Sequence, residues 1–151
     1  MVENGILHAE KLMMHRRALL DLVNQIPENQ IGFSPWDGGM NFKEMVDHLV
    51  ESAQWLLQIV AGEKAVKMKI ASQTWTEAIE RLQSNTEELN RNLATLSSQD
   101  LGREVEAFGG RKMSVAMLID FLNAHEVHHK GQIWQMARMV GIKPPLFISM
   151  G

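Results

Sequence analysis

Apolar residues recur with the 3.6-residue period of an α-helix along four long stretches of this 151-residue chain. The first, residues 6–26, puts His8, Leu12, His15, Leu19, Leu22 and Ile26 on one stripe and stops at Pro27. Ser34-Pro35 and Gly38-Gly39 mark the next segment as a loop. Asn41 followed by Glu44 has the form of a capping box and opens a second helix, residues 42–61. A lysine-bearing connection leads to a third, residues 74–96. Between Leu101 and Met113 the period breaks, and Gly109-Gly110 predicts a tight hairpin turn between short strands. Ser114 then caps a fourth helix, residues 115–140, with Gly141 and Pro144-Pro145 closing it. The expected fold is all-α: one four-helix-bundle domain over residues 1–151, with a short β-hairpin between helices three and four.

Composition narrows the chemistry. Fifteen Lys and Arg against eighteen Asp and Glu give a formal net charge of -3. Nucleic acid is therefore not an expected partner, since phosphate binding needs clustered positive charge. No apolar run approaches the roughly 18 residues of a membrane span, and the N-terminus has no apolar signal segment, so a cytoplasmic protein is expected. With no cysteine, any metal must be held by nitrogen or oxygen.

Histidines interrupt the core pattern of the fourth helix. His125 and His129 lie within its apolar arc, with Gln132 to one side, where buried polar groups need partners. An i, i+4 pair projects both imidazoles from one face, which suits two adjacent positions on one metal ion. His48, at the edge of the apolar arc of helix two beside Ser52, Trp55 and Ile59, is the third candidate. Three histidines without a fourth protein ligand leave open coordination positions, as catalytic sites do. Gln132 is a candidate to support a ligating ring. His128 points about 60° away from His125 and is expected at the rim. For His15 the alternatives are the pocket and a half-buried surface position, and His8 is expected to be solvated.

His125-Glu126-Val127-His128-His129 also satisfies H-E-x-x-H, the zincin signature, with Glu126 as the base. After His129 the chain has no histidine, aspartate or glutamate, so a metallopeptidase is the less favoured reading.

The order Asp47-His48-Leu49, then His125-Glu126-Val127-His128-His129-Lys130-Gly131-Gln132, then Gly141 and Pro144-Pro145 resembles the DinB-like superfamily, which includes the YfiT-type thiol transferases. The likeness runs from the loop around Pro35-Trp36 to the tail, and the His-x-x-x-His-x-Gly-Gln block is its specific part. Lys130 stands where many relatives have arginine. The resemblance implies a four-helix bundle with one divalent metal, and carries the ligand role to His48, His125 and His129. It further implies a metal-dependent hydrolase, or a transferase joining a low-molecular-weight thiol to a small electrophile. Zinc, nickel and iron all suit imidazole ligands. Glu126 and His128 are the candidates for acid–base work, and Glu44 and Glu51 flank His48 on helix two. The alternative is a non-catalytic metal-binding stress-response module. Opposite the histidines, Ala116, Val127 and Trp134 form a narrow apolar strip that either the tail, residues 142–150, covers or a homodimer partner does.

Overall fold

The computed structural model describes residues 4–151. Its first helix, α1 (Gly5–Val23), begins where the Asn4 side chain accepts a hydrogen bond from the backbone N–H of Leu7. It ends one turn earlier than the period predicts. Asn24 caps it through Leu20 O, and Ile26 lies in the turn that follows. A 3₁₀ turn (Glu28–Gln30) and a loop lead to α2 (Phe42–Val60), where Asn41 and Glu44 form the expected capping box.

Residues 61–74 run back along α2 without regular structure and are held by its side chains. Gln58 accepts from Val66 N, Glu51 from Ile70 N, and Asp47 from both Ser72 N and Ser72 Oγ. Thr74 caps α3 (Trp75–Ala94). A short helix, α4 (Ser98–Gly102), follows that the period did not reveal; Ser97 and Asp100 close its first turn as a capping box. Strands β1 (Glu104–Ala107) and β2 (Arg111–Ser114) pair antiparallel, with Glu104 opposite Ser114 and Ala107 opposite Arg111. Ser114 caps α5 (Val115–Met139).

The four long helices pack in the cyclic order α1, α3, α2, α5, so α1 and α2, consecutive in the chain, stand diagonally across the bundle. Gly5 makes the close approach of α1 to the end of α3 possible: a Cβ there would lie 2.0 Å from Leu93 O. Leu12, Leu19, Phe42, Leu49, Leu56, Leu82, Leu89 and Leu118 fill the interior and are almost wholly excluded from solvent.

One polar cluster sits among them. The Arg16 guanidinium, 0% exposed, donates from Nε to Glu126 Oε2 (2.9 Å) and from Nη2 to Glu126 Oε1 (2.5 Å). Its Nη1 donates to Asn85 Oδ1 and Thr86 Oγ1. This ties α1, α3 and α5 together and sets the rotation of α5. A buried charge without its partner costs several kcal/mol, roughly 3–5, so only one rotation of α5 satisfies both groups.

The C-terminal tail folds back over α5 and α1. Trp134 Nε1 donates to Pro145 O (3.0 Å), Lys130 Nζ to Phe147 O, and Ser149 N to Met14 O. Of the two covers expected for the strip at Ala116, Val127 and Trp134, the chain's own tail takes Trp134, which is 6% exposed. Val127 remains exposed, at 40%.

Candidate metal centre

Because α2 and α5 are neighbours in the bundle, His48 in the second turn of α2 faces His125 and His129 on consecutive turns of α5. The rings stand edge to face. Centroids lie 4.9 Å apart for His48–His125, 4.7 Å for His48–His129 and 4.5 Å for His125–His129. One nitrogen from each ring can be chosen so that all three lie within 4.8 Å of one another.

Hydrogen bonds decide which nitrogens face inward. Gln132 Oε1 lies 2.7 Å from His129 Nδ1. An amide oxygen only accepts, so the ring proton is on Nδ1 and Nε2 keeps its lone pair. His48 turns Nδ1 toward Glu51 Oε2, 3.9 Å away, and Nε2 toward His125 Nε2, at 3.0 Å. His125 Nδ1 is buried with no hydrogen-bond partner.

Burial, followed by the neighbouring His129 and His48, pushes the His125 ring down to about 4. Burial likewise lowers His129, with the Gln132 bond opposing. Both rings are therefore neutral near pH 7, the form that ligates. Three imidazole nitrogens and no cysteine or carboxylate form a donor set that suits zinc, nickel or iron better than magnesium or calcium. The residues present fit one divalent ion, with His48, His125 and His129 as its holders.

The other expected residues fall as follows. His128 is exposed at the rim, its ring 4.8 Å from that of His129. Glu126 departs from its expected role as a base. It is 2% exposed and both its oxygens are engaged by Arg16, so the H-E-x-x-H reading loses its base and the metallopeptidase with it. Glu51 reaches the centre, whereas Glu44 is used in the cap of α2. His15 is half-buried and bonded to Lys130 rather than to the centre, its Nδ1 2.7 Å from Lys130 Nζ. Burial and that ammonium both lower its pKa. Lys130, 4% exposed, also lies over the Trp134 and Phe147 rings, and burial brings it down to about 8. His8 is buried at 2%, not solvated, and lies 3.8 Å from Asp120.

From His48 and His125 a cleft of about 1220 Å³ opens between α2, α5, residues 62–68 and the hairpin. Leu56, Ile59, Leu118 and Leu122 form its apolar floor. Trp55, Phe108 and Phe121 form an aromatic wall, with centroid distances of 5.4 and 5.6 Å. Of these, the helical pattern pointed to Trp55, one face-repeat beyond His48, and to Phe121, one turn before His125 on the same arc; the contribution of Phe108 depends on how the hairpin folds over α5.

Solved structures share this architecture. A DinB-like protein, YjoA of Bacillus subtilis, superposes with a TM-score of 0.80 over 95% of this chain and 99% of that one, at 22% identity. A DinB-like protein of Bacillus cereus gives 0.75 over 87% and 89%, at 15% identity. YfiT of Bacillus subtilis, described as a probable metal-dependent hydrolase with an unusual four-helix bundle topology, gives 0.74 over 92% and 89%, at 16% identity. By sequence, the uncharacterized protein YjoA of Bacillus subtilis is 26% identical over 133 residues, which cover 85% of this chain and 86% of YjoA. The family model of the DinB superfamily matches residues 11–133, and with that match over most of its length the chain belongs to the DinB superfamily.

Proposed function

We propose that this protein is a metal-dependent enzyme acting on a small molecule, with His48, His125 and His129 holding one divalent ion. The convergence of three inward-facing imidazoles from two helices at one end of an open cleft supports this reading most directly. When bound there, a divalent ion supplies Lewis acidity that makes a thiol cosubstrate or a water an anionic nucleophile near neutral pH. Gln132 fixes the His129 ring by a hydrogen bond, while Glu51 sets a carboxylate oxygen 3.9 Å from His48 Nδ1 and anchors Ile70 with its other oxygen. His128, exposed and with its ring 4.8 Å from that of His129, is our candidate for carrying a proton between the centre and solvent. Leu56, Leu118 and Leu122 keep the cleft floor dry, which strengthens electrostatic effects at the reacting end. YfiT, described as a probable metal-dependent hydrolase, shares the fold.

Turnover assays on protein loaded in turn with zinc, nickel and iron test the proposal. Each is offered bacillithiol- or glutathione-type thiols with an electrophile, and then small esters and amides with water alone. Metal-dependent turnover that His48→Ala abolishes is the expected result. Stoichiometric ion binding with no turnover under any combination would instead establish the second reading, a binding module without chemistry. Homodimerisation through Trp134 is not part of the proposal, since the chain's own tail covers that ring.

A further inference from the structure

The cleft is asymmetric in its chemistry. One end is the histidine centre; the other, at the hairpin tip, is aromatic. Phe108 and Phe121 are large apolar side chains left 54% and 50% exposed, and Trp55 is only partly covered. Phe108 also sits in the left-handed region, with φ of 49°, ahead of Gly109 and Gly110 at 78° and 89°. Glycine adopts that conformation freely and a bulky residue does not. A phenylalanine at this turn therefore works against the hairpin and contributes little to the core. Such strained positions cluster at ligand-binding sites. Here the strained residue holds its ring against Trp55 over the cleft mouth.

Charge narrows the class of occupant. Lys64, Lys67 and Arg103 line the cleft, and so do Glu51, Glu63 and Glu106. The six charges cancel, and two are already engaged: Arg103 donates to Val60 O and Glu51 accepts from Ile70 N. The charged side chains of the lining thus carry no net charge to select an ion, whereas the floor and one wall are apolar. Trp55 lies seven residues beyond His48 on α2, about 10 Å along the axis. A fused two-ring system with a short arm spans that interval.

We propose that the Trp55–Phe108–Phe121 wall binds the uncharged aromatic body of the substrate, leaving its reactive end at the histidines. The proposal rests on the metal-dependent reading for its reacting end, but it is tested by binding alone. Naphthylmethanol, naphthoate and naphthylmethylammonium offer one aromatic body with neutral, negative and positive arms. Calorimetric titration of the full-length protein, treated with a chelator so that no cation at the histidines attracts the carboxylate, is expected to show the neutral probe binding at least about tenfold more tightly than either ion. Phe108→Gly and Phe121→Ala should each weaken it about tenfold. Phe108→Gly should at the same time keep or raise the melting temperature, because glycine relieves the turn. Unchanged affinity in Phe108→Gly, or preference for either charged probe, would overturn the proposal. The number of ions bound per chain, measured on the same variants, should not change. A failure of the metal centre would appear in that count and in His125→Ala, and not in the binding of naphthylmethanol.

Discussion

Glu126 shows what a string of letters conveys and what it does not. H-E-x-x-H fixes the spacing of His125 and His129, and the period of a helix then puts both on one face. The residue between them is rotated about 100° away, and its surroundings depend on α1, which no local pattern reveals. The helical period does not single out Arg16, yet it is the most buried charged group among the described residues. Replacing Glu126 with Ala strands that guanidinium and should cost about 3–5 kcal/mol, read by urea unfolding. A stability change below about 1 kcal/mol would mean that the pair is solvated in solution. Gln132 was legible, because it follows His129 by three residues and an imidazole ligand needs an acceptor for its other N–H. Gln132→Leu should leave one ion per chain while lowering metal affinity about 10–100-fold, measured by competition with a chelator. Unaltered affinity would remove Gln132 from the centre.

Elements were legible where caps and periodicity agreed. Asn41 with Glu44 and Ser114 before Val115 place the starts of α2 and α5 correctly, and those two helices carry all three histidines. The end of α1 was not legible, because Ile26 continues the apolar stripe from a turn instead of a helix. Nor was α4, five residues long and too short to show a period. Its Ser97–Asp100 cap has a pH signature. Hydrogen bonds from the backbone and side chain of Ser97 hold the Asp100 carboxyl below the ordinary 3.8. A depressed carboxylate stabilises the fold above its unfolded pKa, and that contribution is lost as pH falls through the lower folded value. An NMR titration should give Asp100 a midpoint below 3.8 that rises part of the way in Ser97→Ala, which removes the hydroxyl's hydrogen bond and leaves the backbone one. Identical midpoints in the two proteins would contradict the cap.

Across the whole molecule, the cyclic order α1, α3, α2, α5 sets α1 and α2 diagonally opposite, each flanked by α3 and α5. That order makes α2 and α5 adjacent and so creates both the histidine centre and the cleft. Periodicity predicts four helices but not their order; that depends on interlocking contacts such as Arg16 with Glu126 and Gly5 against Leu93. No helix among the described residues is long and apolar enough to cross a membrane. The tail completes the packing by covering Trp134 and Lys130. Trp134→Glu should therefore destabilise the chain by at least about 3 kcal/mol in thermal or urea unfolding. A variant of native stability but reduced sedimenting mass would show that Trp134 serves an interface instead.

Metal analysis of protein purified without an affinity tag, beside His48→Ala and the double variant His125→Ala/His129→Ala, addresses the histidine centre most directly. One divalent ion per chain is predicted for the parent, a markedly weakened site for His48→Ala and none for the double variant. An ion count that the histidine substitutions leave unchanged would contradict the assignment of the centre.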